Sequence, residues 1–270
     1  MRVIVTRPAC DAHRWVGDLS VLGLEAVALP LIKIGPVDDP AAMVSAWQHL
    51  GDYVAVMFVS GNAVDYFFKS KTAVAGVFID LVQSKTRAWA PGPGTADALL
   101  RWGVPPERID TPAREAGQFD SEALWQVVEP QVHPGDRVLI VRGGGDSASA
   151  GAGSAGVGRD WLVQRLSGRG AEFDFVMAYQ RSAPNFSACE ASLARAAASD
   201  GSIWLLSSSE AIANLIALLP EQSWAGARAL VTHPRIARAA SAAGFVGVQE
   251  SRPLFSEVVV SLQRMAQVAQ

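Results

Sequence analysis

Cysteine is scarce in this chain: of 270 residues only two, Cys10 and Cys189, are cysteines. Two are too few for a disulfide framework and show no metal-binding spacing. The four histidines, at positions 13, 49, 133 and 233, are scattered, so no metal site is expected. Charge is thin as well. Only 18% of the residues are charged and the formal net charge is −3, which gives no global attraction to nucleic acid or to an anionic membrane. An acidic ligand would have to be held by local groups. Charges, Pro or Gly interrupt every apolar run before it reaches membrane-spanning length. The opening MRVIVTRPAC has too short an apolar run for a signal peptide and no cleavage pattern. These absences read as a soluble, cytoplasmic protein with no membrane or nucleic-acid partner. Familiar catalytic signatures are missing too: there is no GxSxG elbow, HExxH pair or CxxC. GPGTAD (92–97) matches only a fragment of a dinucleotide fingerprint, with Pro93 and Asp97 out of place.

Half of the residues are hydrophobic, ample for two packed domains. Short β-branched or apolar runs alternate with helical patterns. Strands are expected at 3–6, 26–32, 53–60, 87–91, 108–112, 137–142, 173–179, 202–209 and 228–233. Helices are expected over 11–22, 62–69, 94–103, 120–128, 161–170, 210–219, 234–244 and 256–268, with Asp120 or Ser121 capping the fourth. Strands apolar on both faces, each followed by a helix, indicate parallel sheets covered on both sides, an α/β fold.

The pattern occurs twice. VIVTRP (3–8) aligns with VLIVRG (138–143), and WVGDLSVLGLEAVALPLI (15–32) with LVQRLSGRGAEFDFVMAY (162–179). DYVAVMFVSGNAVDYFF (52–68) aligns with DGSIWLLSSSEAIANLI (200–216), and RAWAPGPGTADALLRWG (87–103) with RALVTHPRIARAASAAG (228–244). The second copy carries about twelve extra residues, 146–157, rich in Gly, Ser and Ala. They lack the lysine and spacing of a phosphate loop and read as a flexible insertion. The residues flanking them, Arg142, Gly143, Gly144, Gly158 and Arg159, are better candidates for a role.

Open parallel sheets bind ligands at the carboxyl ends of their strands. The residues expected there are Thr6 and Arg7; Ser60, Gly61 and Asn62; Pro93, Gly94 and Thr95; Arg142; Ser207, Ser208 and Ser209; Thr232, His233 and Arg235. Any one of these hydroxyls taken alone is better read as an ordinary helix cap, and any one arginine equally as a surface ion pair. Six such turns together suit a ligand with several carboxylates or phosphates. A protein that binds such a polyanion in a cleft without chemistry would carry the same turns.

VIVTRP, ALPLIKI, MFVSGNAVDYFF, APGPGTADAL, DSEALW, VLIVRGG, GRDWLVQRL, AYQR and VTHPRIARAA, in this order, resemble the uroporphyrinogen-III synthase family of proteobacterial type, from about residue 2 to 265. The resemblance implies two flavodoxin-like α/β domains joined by a two-strand crossing, with a cleft between them. Residues 1–35 and 182–270 would form one discontinuous domain and 36–181 the other, crossing at KIGPVDDP (33–40) and YQRSAP (179–184). Sequence physics alone equally allows a cut near HPGD (133–136). The implied reaction closes the linear tetrapyrrole hydroxymethylbilane, which carries eight carboxylates, to uroporphyrinogen III and water, in haem biosynthesis. It uses no metal and no organic cofactor. The implied protein is a monomer, with room for a transient hand-over of substrate from hydroxymethylbilane synthase. Tyr179 matches the family tyrosine proposed as the acid for the leaving hydroxyl, although an aromatic at a strand end can also simply pack. Thr95 matches a cleft threonine; its repeat position here is Ile236. Substrate contacts would come from Thr6, Arg7, Ser60, Asn62, Gly94, Thr95, Arg142, Gly143, Arg159, Ser208, Ser209, His233 and Arg235.

Overall fold

The computed structural model describes residues 1–71, 81, 84–113, 115–116, 118–145 and 157–267, with the backbone alone at 157–160. The chain opens with β1 (Arg2–Val5), α1 (Ala9–Val21) and β2 (Glu25–Ala28). Next come β3 (Lys33–Pro36), α2 (Ala41–Gln48), β4 (Ala55–Phe58), α3 (Gly61–Lys71), β5 (Arg87–Trp89) and α4 (Pro93–Arg101). Then follow β6 (Ile109–Asp110), α5 (Ser121–Val128), β7 (Arg137–Gly145), α6 (Val157–Gly168) and β8 (Glu172–Ser182). The last third holds α7 (Ala188–Ala197), β9 (Ile203–Leu206), α8 (Ser209–Leu218), β10 (Arg228–Val231), α9 (Pro234–Ala242), β11 (Gly247–Glu250) and α10 (Phe255–Gln267). The segment expected as an insertion, 146–157, lies outside the described residues up to 156; Val157 opens α6.

The chain divides into two compact units, one of Met1–Ile34 with Ser182–Gln270, the other of Gly35–Arg181. The first carries a five-stranded sheet in the order β11-β10-β9-β1-β2, the second a six-stranded sheet in the order β3-β8-β7-β4-β5-β6. β1 runs parallel to β2 and β9, and β10 to β9 and β11. β4 runs parallel to β5 and β7, β5 to β6, and β7 to β8. The first unit has the flavodoxin-like order, its connections reversing direction between β1 and β9.

The repeat explains the second sheet. By the alignment β7 corresponds to β1, β8 to β2, β4 to β9 and β5 to β10. The run β8-β7-β4-β5-β6 is then the same arrangement as β2-β1-β9-β10-β11. Apart from β3, which adds a sixth strand at the edge of the second sheet, each unit thus takes two strands from one copy of the repeat and three from the other. The helix ends repeat as well. Gly23 and its counterpart Gly170 have φ of 75° and 73°, and Gly103 and Gly244 have 83° and 98°. These left-handed turns past a helix favour glycine because a Cβ would be strained there.

Alternation along the strands sets the cores. In the first unit Ile4, Trp204, Leu206, Ala229 and Val231 pack under α8 and α9, with Trp224 and Phe245 stacked 5.5 Å apart. Val3, Val5, Ile203, Leu205 and Leu230 face the other way, onto Ala12, Trp15 and Leu19 of α1 and Val258, Leu262 and Met265 of α10. In the second unit Ala55, Met57, Trp89, Val138 and Ile140 pack against α5 and α6, while Phe58 of β4 meets Phe67 and Phe68 of α3. The strand expected over 26–32 stops at Ala28. Leu29 N–H still bonds the Val5 carbonyl at 2.9 Å, but Pro30 has no N–H for the ladder, and beyond it a single longer bond, Leu31 N–H to the Thr6 carbonyl at 3.3 Å, follows.

Candidate functional site

At the carboxyl end of β4 the chain turns at Ser60 into α3. Ser60 caps this helix: its Oγ accepts the Ala63 N–H at 3.2 Å, and its carbonyl accepts the Val64 N–H. The same Oγ lies 3.1 Å from the Tyr179 hydroxyl, and either group can donate. Tyr179 sits on β8, two strands away from β4, with β7 between them. It reaches across because Gly143 of β7 has no side chain. A Cβ there would fall on the Tyr179 ring and lie 2.8 Å from its hydroxyl. A bulge makes this possible. The register steps from Arg142↔Met177 to Gly143↔Tyr179, so Ala178 has no partner. Phe175 and Met177 are exposed, whereas Tyr179, two residues on, is 4% exposed: the bulge turns it off the outer face. Tyr66 of α3 completes the surroundings, its ring 5.8 Å from that of Tyr179.

Around this pair stand other residues expected from the sequence. Arg142 precedes the bulge, and its guanidinium lies 4.6 Å from the centre of the Phe175 ring. Asn62 is half-buried in the first turn of α3. Gly94 and Thr95 lie in the first turn of α4, Gly94 in open space and Thr95 buried. A Cβ on Gly61 would lie 3.4 Å from the Gly94 carbonyl oxygen, so the starts of α3 and α4 adjoin. Arg159 falls in α6, and its side chain lies outside the described residues.

In the first unit the turn after β1 holds Thr6 and Arg7. Thr6 is 2% exposed, and its hydroxyl donates to the Leu205 carbonyl at 2.7 Å. Its one proton therefore ties β1 to β9. The Arg7 guanidinium lies 4.1 Å from the centre of the Trp15 ring, and its Nε is buried with no hydrogen-bond partner among the described residues. Burial pulls its pKa below the usual arginine value; Asp11 opposes that shift and Arg14 adds to it. Ser208 caps α8, its Oγ accepting the Glu210 N–H at 3.2 Å, and the next hydroxyl, Ser209 Oγ, is buried with no hydrogen-bond partner among the described residues. His233 caps α9: Nδ1 accepts the Arg235 N–H at 3.0 Å, leaving Nε2 as donor, and Arg235 is exposed.

The sequence pattern does not pair Ser60 with Tyr179, and it leaves Tyr66 as a helix residue beside Phe67 and Phe68. The bulge at Ala178 and the strand order carry both facts, and neither has a local sequence signal. Among the described residues no three His, Cys, Asp or Glu side chains group as a metal site, and no helix is long and apolar enough to cross a membrane.

Two flavodoxin-like units, each with hydroxyls, arginines and helix starts near the carboxyl ends of its strands, define an α/β protein of the doubly wound class. The family profile described as "Uroporphyrinogen-III synthase HemD" matches residues 13–258, and the chain belongs to this family. Uroporphyrinogen-III synthase of Escherichia coli (strain K12) is 30% identical over 259 residues, covering 92% of this chain and 94% of that protein. The enzyme of that name from Chlorobaculum parvum is 32% identical over 143 residues, about half of each chain. A mutant uroporphyrinogen III synthase from the extremely thermophilic bacterium Thermus thermophilus has a TM-score of 0.55 at 16% identity, covering 99% of both chains. Uroporphyrinogen-III synthetase from Helicobacter pylori 26695 has 0.54 at 15%, covering 97% of this chain and all of that one. At such identities these structures speak for the fold.

Proposed function

We propose that this chain closes hydroxymethylbilane to uroporphyrinogen III, inverting the last pyrrole ring and releasing water. The family match over residues 13–258 carries the assignment. The substrate's hydroxyl leaves with a proton as water, and the electron-rich pyrrole stabilises the cation left behind. The last ring attacks through its substituted carbon. The spiro intermediate fragments and recloses inverted, and the closing ring gives up the proton that balances the one donated. Left alone, the bilane closes to the type I isomer. The protein's main contribution is therefore positioning, with acid catalysis of water loss as a second term.

Tyr179 is the proposed acid. Its near-complete burial keeps bulk water from the hydroxyl, as suits a group working beside a carbocation. Arg7, Arg142, Arg159, Ser209, His233 and Arg235 are proposed carboxylate partners, with the turns at Asn62, Gly94, Thr95 and Ser208 supplying further donors. Of these, Arg7 offers the clearest docking point, a cation whose Nε has no hydrogen-bond partner among the described residues. Thr6, its proton spent on Leu205, would hold the turn that carries Arg7. We also propose a cytoplasmic monomer. Because the free bilane closes spontaneously to the wrong isomer, direct hand-over from hydroxymethylbilane synthase would serve it.

Freshly made hydroxymethylbilane tests the activity. The purified chain is expected to consume it faster than spontaneous closure and at the same rate with EDTA present. Consumption no faster than in protein-free buffer would overturn the proposal.

A further inference from the structure

We propose that Ser60 is a positioning residue for the Tyr179 hydroxyl and not a ligand to the substrate's carboxylates. The proposal rests on the reading of Tyr179 as the acid. A serine hydroxyl has one proton and accepts two hydrogen bonds. Ser60 Oγ already accepts the Ala63 N–H and stands 3.1 Å from the Tyr179 hydroxyl. Two arrangements satisfy this geometry. If Tyr179 donates to Ser60, the phenolic proton is tied up. If Ser60 donates to Tyr179, the serine satisfies the phenol's acceptor side and the phenolic proton is left for the substrate. Only the second arrangement serves an acid.

The pieces around the pair hold it in place. The Tyr179 ring lies over Gly143 and beside Tyr66, so rotation of the O–H bond is the freedom left to govern. Ser60 joins β4 to α3 and caps that helix. Its oxygen is therefore fixed by backbone elements and not by a free rotamer. Aspartate caps as well as serine, yet it could only accept, which would draw the phenolic proton to itself and set a negative charge near an anionic substrate.

The repeat supplies an internal comparison. Ser208 is the counterpart of Ser60 and also caps its helix, its Oγ accepting the Glu210 N–H two residues on where Ser60 Oγ accepts the Ala63 N–H three residues on. At the repeat position of Tyr179, however, stands Ile32, and at that of Gly143 stands Pro8. Capping is common to both units and does not require a tyrosine. The Gly–Tyr–Ser arrangement belongs to the second unit.

The test uses the full chain with hydroxymethylbilane and compares Ser60→Ala, Ser60→Thr and Tyr179→Phe, alone and combined. Ser60→Ala is expected to lower kcat about tenfold, less than the roughly 10²-fold or more that the acid itself contributes, with KM within about twofold. Ser60→Thr, which keeps the hydroxyl, should recover kcat to within about threefold of the parent. In the Tyr179→Phe background Ser60→Ala should lower kcat no further, because both changes remove one interaction. Loss of the cap shows separately, as an equal fall in Tm in both backgrounds. If Ser60→Ala does not fold, Ser60→Gly removes the same hydroxyl and keeps a tolerated capping residue. A raised KM with unchanged kcat would make Ser60 a substrate ligand. Equal kcat losses with and without the Tyr179 hydroxyl would make it independent. Either result overturns the proposal. A Tyr179→Phe enzyme at full rate would remove the acid, and the positioning role with it, a failure visible with Ser60 untouched.

Discussion

Gly143 and Arg7 are the two positions where a single side chain decides most. Gly143→Ala would set a methyl group into the space of the Tyr179 ring, so the ring must move. The expected result is kcat lowered at least tenfold together with a lower Tm, read by steady-state kinetics and thermal melting; an unchanged kcat would show that the position of the ring does not matter. Arg7 tests differently, because its buried Nε lacks a partner among the described residues and burial of its charge is costly to the folded chain. Arg7→Met is expected to hold or raise Tm while raising KM roughly tenfold or more, the low side of the ~1.5–3 kcal/mol of a charge-assisted hydrogen bond. A fall in Tm with KM unchanged would make Arg7 a structural residue stacked on Trp15. At this scale positions can be read from the sequence but partnerships cannot. Ser60 lies just past a strand end, where the alternation of strands and helices puts it, whereas Arg142 and Tyr179, expected to end their strands, stand inside β7 and β8, which run on to Gly145 and Ser182. That Tyr179 reaches Ser60 depends on a one-residue bulge and on which strand lies between them, and both are set by tertiary packing.

Elements are legible where period and punctuation agree. Asp120 caps α5 as its position before an apolar run suggests, its carboxylate accepting the Ala123 N–H at 2.9 Å. α7 is absent from the helices expected above although its signature is complete: Ser187 and Glu190 form a reciprocal capping box. Its alanine-rich run has little hydrophobic contrast to mark a face. β11 is absent from the expected strands too, being short, led by a glycine and half exposed at the sheet edge. Ser187→Ala should cost about 1 kcal/mol of stability, measured by denaturant unfolding, with kcat unchanged. A second element-scale prediction concerns the edge where β7 and β8 begin. There the Tyr53 hydroxyl donates to Asp174 at 2.9 Å, and Arg137 reaches the same carboxylate at 2.7 Å. Burial, and then the hydrogen bond to Asp174, pushes the Tyr53 pKa up to about 12 from an ordinary 10. The fold thus favours the protonated phenol. That contribution is fully present below about pH 10 and is lost as pH rises through about 12. Tyr53→Phe should remove this part of the alkaline fall in Tm, and an identical fall in parent and variant would contradict it.

On the scale of the whole molecule the chain is one α/β unit written twice, with the halves exchanged. β1 and β2 of the first copy join β9, β10 and β11 of the second, while β7 and β8 of the second join β4, β5 and β6 of the first. The parallel, two-sided sheets can be read from apolar strands followed by helices. The internal repeat supplies the strand correspondence, but the exchange is a matter of long-range pairing on which local pattern is silent. Positioning, more than acid catalysis, is the proposed reason for this architecture, because the uncatalysed bilane already loses its hydroxyl and closes, but to the wrong isomer. The central claim therefore concerns the product more than the rate. Freshly prepared hydroxymethylbilane is incubated with the purified chain, the products are oxidised, and the type I and type III porphyrins are separated and quantified. The account predicts mainly type III from the parent and still type III, more slowly, from Tyr179→Phe; type I alone from intact, folded protein would contradict it.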